Sequence, residues 1–262
     1  VFYDARPTER NVCVLPAGFA DDMPRGGHIP GARFIDLMAV HGHDGKVPVE
    51  PIIRAMERAG VTPESRIVIY GSGVDMSPGI VFTALDLAGL GARASILDGG
   101  LPAWERSGRP LSKELPAPKR TTLSLRPNPD VLVDAPYVKA AMGSAVLLDT
   151  RSRGEFTGTN GEGLSRPGRI PGGVHLEWSR TLDPQTGKFL PRAELEALFR
   201  EAGAKPGSEV ITYCLIGMRA SHMYFVSRLL GYKTRVYVGS MVDWSSLPKD
   251  EYPMVTGTAG TR

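Results

Sequence analysis

Residues 209–231 read EVITYCLIGMRASHMYFVSRLLG and contain a strand, a loop and a helix in direct succession. The run Glu209–Tyr213 is β-branched and apolar almost throughout, as a strand buried in a parallel sheet requires. A short loop starts at Cys214, and the apolar pattern over 220–230 predicts a helix that ends at Gly231. Cys214 therefore lies at the carboxyl end of a strand, where open α/β sheets bind their ligands.

This stretch has a counterpart in the first half of the chain, and three further landmarks recur in the same order. The matched pairs are Asp4-Ala5-Arg6 with Asp149-Thr150-Arg151, 27–32 with 168–173, Arg66–Tyr70 with Glu209–Tyr213, and Asp98-Gly99-Gly100 plus Trp104 with Val238-Gly239-Ser240 plus Trp244. Because four landmarks recur in one order, we infer an internal duplication.

The segment between the two halves, residues 107–130, is rich in proline, lysine and arginine. Proline removes backbone donors and resists helix formation, so this segment is expected to be an extended connector. We predict a first domain at residues 1–114, a linker at 115–125 and a second domain at 126–262. Strand and helix patterns alternate in each half, with another helix predicted over 191–202. Each domain is therefore expected to be α/β, with a mostly parallel sheet flanked by helices.

Composition restricts the class of protein. The 262 residues are 42% hydrophobic and 23% charged, as in ordinary globular proteins, which suggests a soluble protein. The net charge of +3 comes without a run of five or more Lys or Arg, so nucleic-acid binding is not indicated. No stretch approaches the roughly 18 apolar residues that span a membrane. The start at Val1 leaves an upstream segment or a removed leader open, and both cytoplasm and periplasm are allowed.

The surroundings of Cys214 favour a thiolate. The start of the following helix has unpaired N–H groups and a partial positive charge, and Gly217 gives the loop the freedom to aim successive amides at the sulfur. Arg219 stays charged at any relevant pH and is expected to hold an anionic substrate or to support the loop. The other cysteine, Cys13, has no such setting and is expected to be a packed residue. Two distant cysteines indicate neither a disulfide framework nor a zinc site.

Taken together, these residues resemble the tandem rhodanese family, which includes thiosulfate and 3-mercaptopyruvate sulfurtransferases. The resemblance covers nearly the whole chain. It is carried by Gly-His-Ile-Pro-Gly-Ala at 27–32, Leu97-Asp98-Gly99-Gly100 with Trp104, Asp149-Thr150-Arg151 with Glu155-Phe156, and the loop from Cys214 to Arg219. It implies two rhodanese-like domains. The first is expected to be catalytically silent because Gly71 stands at the cysteine position, and the second is expected to be active.

The resemblance also implies a mechanism. The Cys214 thiolate takes the outer sulfur of a small anionic donor, thiosulfate or alternatively 3-mercaptopyruvate, and becomes a persulfide. Cyanide or a thiol, which can belong to a protein, then accepts that sulfur. This is covalent catalysis in two half-reactions and requires no metal or organic cofactor.

The resemblance assigns further roles around the cysteine. Arg219 is expected to act with Cys214, and the loop amides to stabilise the persulfide; the loop consists of Leu215, Ile216, Gly217, Met218 and Ala220 besides Arg219. Leu215 and Ile216 make this loop apolar, unlike either subfamily, and Glu155 stands where animal enzymes often carry a substrate-binding arginine. Arg166 and Arg169 are therefore candidates for binding the donor, with a surface or interdomain role as the alternative.

Three neighbouring residues are expected to play supporting or peripheral roles. Asp149 and Ser221 are expected to support the site, and His222 to face solvent or the seam between domains.

Two other classes of function remain open. Dual-specificity cell-cycle phosphatases have a related fold and a Cys-to-Arg loop, but theirs is one residue longer than the four residues between Cys214 and Arg219. The tighter loop suits a single sulfur better than a phosphate, and phosphate-ester hydrolysis that is lost in Cys214→Ser would favour the phosphatase. A persulfide relay or binding module for a protein partner would use the same loop, and dependence on a protein thiol in place of cyanide would identify it.

Overall fold

The computed structural model describes residues 12–18, 27–33, 35–41, 47–114, 117–161 and 163–258. These residues form two compact units. The first unit comprises the described residues up to Pro129 together with Leu182–Phe189. The second comprises Asp130–Thr181 and the described residues from Leu190 onward. Among the described residues, none of the helices combines the length and the apolar character that crossing a bilayer demands.

The first unit is built on a parallel sheet in the order β2-β1-β3-β4. Its strands are β1 (Val12–Gly18), β2 (Ile35–Asp36), β3 (Arg66–Tyr70) and β4 (Ala94–Ile96), and its helices are α1 (Leu37–His41), α2 (Val49–Arg58), α3 (Ser77–Leu87), α4 (Gly100–Arg106) and a 3₁₀ turn at Gly91–Arg93. Helix α3 is buried along its whole length, because its sequence is apolar on nearly every side. Helix α3 starts directly after the loop that follows β3, which is the arrangement expected at the centre of an α/β sheet.

The second unit repeats this order and adds one edge strand. Its strands are β5 (Leu132–Val133), β6 (Val146–Asp149), β7 (Val174–His175), β8 (Glu209–Tyr213) and β9 (Lys233–Tyr237), and its helices are α5 (Ala135–Ala141), α6 (Arg153–Thr157), α7 (Arg192–Glu201), α8 (Met218–Leu230), α9 (Ser240–Ser246) and a 3₁₀ turn at Trp178–Thr181. All pairs are parallel, in the order β7-β6-β8-β9-β5. The strands β7, β6, β8 and β9 thus take the places of β2, β1, β3 and β4. The predicted tandem of two parallel α/β domains is confirmed.

The matched tryptophans show how closely the two units correspond. Trp104 and Trp244 are both buried. Each indole N–H donates a hydrogen bond to a proline carbonyl at 3.0 Å, that of Pro110 and that of Pro253. The same landmark therefore fixes the chain after the last helix of each repeat. The landmark Asp4-Ala5-Arg6 lies outside the described residues.

The two helices predicted around the Cys214 stretch are present. The prediction for 191–202 corresponds to α7. Helix α8 ends at Gly231 as expected, where φ is 91°, but it begins at Met218, two residues before the predicted start. The earlier start follows from Gly217, whose φ of 92° turns the chain directly into the first helical residue.

The extended connector packs along the first unit. Within it, Thr121 donates its backbone N–H to the carbonyl of Glu57 at 3.1 Å, and Leu123 donates to the Glu57 carboxylate at 3.0 Å. This segment is grouped with the first unit as far as Pro129. Residues 115 and 116, at the start of the predicted linker, lie outside the described residues.

The segment Leu182–Phe189 belongs to the first unit although its sequence lies within the second half. The backbone N–H of Phe189 donates to the carboxylate of Asp98 at 2.8 Å, and Arg106 donates to the carbonyl of Thr186 at 3.0 Å. The chain therefore leaves the second unit at Thr181 and re-enters it at Leu190.

Candidate active site

Three neighbouring strands of the second unit end at one edge of its sheet. Asp149 at the end of β6 is in register with Tyr213 at the end of β8, and Thr212 of β8 is in register with Val236 of β9. Cys214 is the first residue after β8. It therefore lies between the loops that follow β6 and β9, at the edge where parallel sheets place ligands.

The sulfur of Cys214 lies inside the loop that starts helix α8. The residue is 1% exposed and its thiol is not in a disulfide. The backbone N–H of Gly217 donates a hydrogen bond to Sγ over 3.1 Å. Gly217 has a φ of 92°, and a Cβ there would lie 2.9 Å from the carbonyl oxygen of Val238, so both the conformation and the space require glycine. The loop is thus shaped to direct the backbone N–H of Gly217 at the sulfur.

Ser240 fixes the backbone of Cys214 from the loop after β9. Its Oγ accepts the N–H of Cys214 at 3.1 Å and donates to the carbonyl of Tyr237 at 2.7 Å. The next residue, Met241, donates its N–H to the carbonyl of Cys214 at 3.1 Å. In the described part of the chain Ser240 is the one non-glycine residue with a positive φ, 53°. A polar residue held in this strained conformation beside Cys214 is a candidate member of the site.

Sequence reasoning did not single out Ser240, although a signal was present. Its counterpart in the first repeat is Gly100, which has a φ of 58°. A serine in place of a glycine at a position with positive φ costs conformational free energy, so an interaction of its side chain is expected to offset that cost. Here the hydroxyl supplies the acceptor for Cys214.

Arg219 is held beside the loop by Glu155. The two side chains form a bidentate ion pair with both N–O distances at 2.8 Å, and they are 20% and 15% exposed. Glu155 also accepts the backbone N–H of Ser152 at 3.0 Å and its hydroxyl at 2.8 Å, which closes a capping box at the start of α6. Burial disfavours the Arg219 cation, but its hydrogen bonds to Glu155 and the negative charge of a Cys214 thiolate raise its pKa above the ordinary value.

The ion pair should stabilise the fold at all but strongly acidic pH. Burial disfavours the Glu155 carboxylate, but the hydrogen bonds from Arg219 and Ser152 outweigh it and lower its pKa from 4.5 to about 2. A carboxyl group whose pKa is lower in the folded than in the unfolded protein stabilises the fold at every pH above its unfolded pKa. This contribution disappears as the pH falls through the folded pKa. At neutral pH we expect the wild-type protein to unfold at a higher denaturant concentration than Glu155→Gln. This difference in midpoint should shrink as the pH falls from about 4.5 to about 2. A difference that stays constant through this range would contradict the ionic account.

Asp149 and Arg151 form a buried ion pair behind the site. Both side chains are fully buried, with Arg151 donating to the Asp149 carboxylate at 2.6 and 2.9 Å and to the carbonyl of Gly168 at 2.9 Å. The carbonyl of Arg151 is in turn 2.8 Å from Nε2 of His175. Arg151 thus ties the loop after β6 to the turn at Gly168 and to β7, next to the strand that precedes Cys214.

The structure places the guanidinium groups of Arg166 and Arg169 against backbone carbonyls. Arg166 donates to the carbonyls of Ser245, Tyr252, Trp244 and Leu247 at 3.0–3.1 Å. Arg169 is 6% exposed and donates to the carbonyls of Phe156 at 3.3 Å and Gly257 at 2.8 Å. Both side chains therefore connect the 165–169 region with the segment that follows Trp244.

Two early residues of α8 lie in the interior. The Ser221 hydroxyl donates to the carbonyl of Gly217 at 2.9 Å and so braces the loop. His222 is buried and not solvent-facing: its Nε2 is 2.8 Å from the hydroxyl of Thr181, and its ring meets that of Trp178 edge-on at 5.2 Å. Burial lowers the pKa of His222 to about 3, so the ring is neutral at physiological pH. Across the described residues, His, Cys, Asp and Glu side chains do not gather in threes or more around a potential metal site.

The first unit has the same frame around a different loop. The N–H of Leu101 donates to the carbonyl of Gly71 at 2.8 Å, just as Met241 does to Cys214. The carboxylate of Asp75 fills the loop and accepts the backbone N–H groups of Ser72 at 3.1 Å and Ser77 at 2.8 Å. A Cβ at Gly71 would collide with this carboxylate. The first loop therefore holds an anion of its own where the second holds a sulfur.

Comparison with protein families and with curated relatives points to rhodanese-like, sulfur-transferring proteins. The model of the rhodanese-like domain matches twice, at residues 2–107 and 134–247. A thiosulfate sulfurtransferase of Pseudomonas aeruginosa is 31% identical over 230 residues, which cover 85% of this chain and 84% of that protein. The sulfur carrier protein TtuD of Thermus thermophilus is 32% identical over 244 residues, which cover 84% of this chain and 83% of that protein.

Solved structures agree on the fold. The crystal structure of YnjE matches with a TM-score of 0.85 at 26% identity, covering 98% of this chain and 65% of that chain. An anaerobic ergothioneine biosynthesis enzyme from Chlorobium limicola matches with a TM-score of 0.84 at 24% identity, covering 97% of this chain and 67% of that chain, and supports the fold alone. The chain therefore belongs to the rhodanese family: it is a rhodanese-type sulfurtransferase made of two rhodanese-like domains in tandem.

Proposed function

We propose that the protein moves a sulfane sulfur from thiosulfate to a thiophilic acceptor, cyanide or a thiol, through a persulfide on Cys214. The observation that carries this proposal is the position of Sγ inside the loop before α8, 3.1 Å from the N–H of Gly217. A sulfur anion at this point is stabilised both by an aimed amide and by the partial positive charge of the helix start. The relatives named thiosulfate sulfurtransferase support the choice of donor.

The reaction has two half-reactions. In the first, the Cys214 thiolate attacks the outer sulfur of thiosulfate; the new S–S bond forms on Cys214, the old S–S bond breaks, and sulfite leaves with the bonding electron pair. In the second, the acceptor attacks the terminal persulfide sulfur, cyanide becomes thiocyanate, and Cys214 returns as a thiolate. Charge and sulfur balance in each step without a metal or a redox partner.

The neighbouring residues act mainly by positioning. Ser240 holds the Cys214 amide, Ser221 braces the loop carbonyl at Gly217, and Glu155 keeps Arg219 beside the sulfur. The contacts of Arg166 and Arg169 with carbonyls support a role in fixing the segment after Trp244. Binding a donor would require either guanidinium to give up those hydrogen bonds, so we place the donor nearer to Arg219.

The test is thiocyanate formation from cyanide, with thiosulfate and 3-mercaptopyruvate as parallel donors. We expect parallel lines in double-reciprocal plots at several acceptor concentrations, because the persulfide separates the two substrates in time. Preference for 3-mercaptopyruvate would replace thiosulfate as the donor but keep the persulfide. Intersecting lines, which require both substrates bound together, would contradict the persulfide cycle.

A persulfide relay to a protein acceptor is the second candidate, and the relative named sulfur carrier protein TtuD favours it. It uses the same Cys214 persulfide and differs only in the second half-reaction. Transfer to a protein thiol at a far higher kcat/KM than to cyanide or small thiols would identify this role.

We propose that the first domain transfers no sulfur, and that a cysteine alone would not restore the activity. In a Cys214→Ser background, Gly71→Cys is expected to give no thiocyanate above the Cys214→Ser level. The Asp75 carboxylate occupies the space of the new side chain, and Pro78 is the second residue of α3, where α8 has Arg219. Activity in the double variant, sensitive to alkylation at residue 71, would show that the first loop is competent after all.

A further inference from the structure

The segment Leu182–Phe189, which we call the strap, is a hairpin held by its own hydrogen bonds. Its first and last residues pair as an antiparallel bridge. The carboxylate of Asp183 accepts the backbone N–H groups of Gln185 at 2.9 Å and Thr186 at 2.7 Å, together with the hydroxyl of Thr186 at 2.9 Å. A turn closed in this way keeps one shape, so the position of its tip determines the position of its two ends.

The tip of the strap lies against the loop of the first unit that has no nucleophile. Gly187 is buried and has a φ of 69°. A Cβ on Gly187 would lie 2.6 Å from the carbonyl carbon of Gly73, so the two backbones meet where only glycine fits. Gly73 follows Gly71, the counterpart of Cys214, by two residues. The silent loop of the first unit is therefore the surface on which the strap is seated.

A carboxylate that the chemistry at Cys214 does not use also holds the strap. The N–H of Phe189 donates to Asp98 at 2.8 Å. The counterpart of Asp98 in the second repeat is Val238, whose side chain cannot accept a hydrogen bond. The two repeats thus differ at a residue that the strap requires, and the acceptor is found in the repeat where the strap is seated.

The two ends of the strap meet at Thr181, which is bonded to the helix after the Cys214 loop. The N–H of Leu190 donates to the carbonyl of Thr181 at 3.0 Å and closes the neck of the strap. The buried Thr181 hydroxyl donates to the carbonyl of Trp178 at 2.7 Å, so it accepts from Nε2 of His222 at 2.8 Å. His222 is the fifth residue of α8 and follows Ser221, which braces the loop. The neck is therefore bonded to the helix that shapes the nucleophile's surroundings.

The same 3₁₀ turn is connected to the residue before Cys214. The N–H of Trp178 donates to the carbonyl of Thr150 at 3.2 Å, and Thr150 donates both its N–H and its hydroxyl to the carbonyl of Tyr213 at 3.0 Å. The turn beside the neck is thus bonded to both sides of the Cys214 loop. A shift of the neck would change the position of the sulfur relative to the amide that faces it.

We propose that the nucleophile-free loop of the first domain is the docking site of the strap, and that the docked strap positions Cys214 for sulfur transfer through Thr181 and His222. This inference rests on the proposed persulfide chemistry. It gives the first domain a part in that chemistry although it transfers no sulfur itself. Asp98, Gly187 and Thr181 are positioning residues, since they act on the sulfur through other residues.

Gly187→Ala tests the docking, with Gly203→Ala as its matched control. Both glycines have positive φ, 69° and 86°, so both substitutions impose the same kind of backbone strain, but a Cβ at Gly203 meets nothing within 4 Å. The full chain is mixed with thiosulfate in a single turnover, and both the rate constant of persulfide formation and the sulfur bound per chain are measured. In Gly187→Ala the rate constant should fall by about tenfold to a hundredfold, because a misplacement of about 1 Å at the reacting atoms has a cost of this size.

The sulfur bound per chain distinguishes positioning from a general loss of structure. Gly187→Ala should still bind one sulfur per chain, only more slowly, and Gly203→Ala should keep the wild-type rate constant. A wild-type rate constant with fewer reactive chains would mean that Gly187→Ala only unfolds part of the protein, and it would overturn the inference.

Thr181→Val and Thr181→Ser test the neck and decide the matter if Gly187→Ala does not fold. Valine keeps the shape of the side chain but removes the hydroxyl that His222 requires, whereas serine retains it. We expect the rate constant to fall in Thr181→Val and to recover in Thr181→Ser. Where both single variants fold, their combined loss in the double variant should be much smaller than the product of the two, because they act along one path.

The outcomes separate the inference from the function on which it rests. Wild-type rate constants in both Gly187→Ala and Thr181→Val overturn the positioning role and leave the persulfide chemistry in place. An equal loss in Thr181→Val and Thr181→Ser overturns the part of the hydroxyl contact. If folded, reduced wild-type protein takes up no sulfur from thiosulfate or 3-mercaptopyruvate, the proposed function and the inference fall together.

Discussion

Cys214→Ser is expected to lower the rate of sulfur transfer by about a thousandfold or more. The loss should be the same with thiosulfate and with 3-mercaptopyruvate as donor, and with every acceptor. A serine hydroxyl neither ionises at neutral pH nor forms a stable bond to a sulfane sulfur, so the first half-reaction has no route. Removal of a covalent nucleophile typically costs at least about this much, because the rest of the site cannot substitute for it.

The measurement is the initial rate of thiocyanate formation, with the folded state checked by near-UV circular dichroism. Serine is close to cysteine in size, and the N–H of Gly217, which lies 3.1 Å from the sulfur, retains an acceptor. Cys13→Ser is the matched control, since it removes the other cysteine of the chain and should leave the rate nearly unchanged. A residual rate in Cys214→Ser that is within a few-fold of wild type would show that another group carries the sulfur.

Asp149→Ala should produce the largest loss of stability in the second unit, about 3–5 kcal/mol. The substitution leaves the Arg151 cation fully buried without its carboxylate, in a place where water cannot replace it. Removal of one partner of a buried pair is costly for this reason, even where the intact pair contributes little net stability. The loop after β6 should become more mobile, and β8, the strand that precedes Cys214, should become less stable with it.

Hydrogen exchange is the suitable measurement, because it resolves the second unit from the first. Amides of β6 and β8 should exchange faster in Asp149→Ala by the factor that this free energy implies, while those of α2 and α3 stay unchanged. The control Glu50→Gln removes a pair with Arg54 in which the side chains are 66% and 59% exposed, and it should change little. Unaltered protection of β6 and β8 in Asp149→Ala would contradict a stabilising role for the pair.

The sequence alone predicts the frame of the site well. A buried strand followed by Cys214, a glycine and a helix predicts that this thiol lies at the carboxyl edge of the sheet, because each element follows from local patterning. The duplication is also visible in order and spacing, and four strands of the second sheet repeat the order of the first. The substitution of glycine for cysteine at position 71 is likewise readable from the alignment of the halves.

The hydrogen-bond partners of the site were beyond sequence reasoning. Arg166 was a reasonable candidate for binding an anion, yet its partners are carbonyls 78–86 residues away, and no pattern marks a carbonyl as an acceptor. The pairing of Arg219 with Glu155 bridges 64 residues. The return of Leu182–Phe189 to the first unit was missed for a similar reason, since the contact with Asp98 is defined only in the folded chain.

The most direct test of the Cys214 persulfide is the mass of the protein after a donor has been added without an acceptor. Thiosulfate or 3-mercaptopyruvate is mixed with reduced protein, excess donor is removed, and the masses of the separated peptides are measured. We expect one additional sulfur atom on the peptide that contains Cys214, released by cyanide as thiocyanate and absent in Cys214→Ser. An additional sulfur on the Cys13 peptide, or none at all while turnover proceeds, would contradict it.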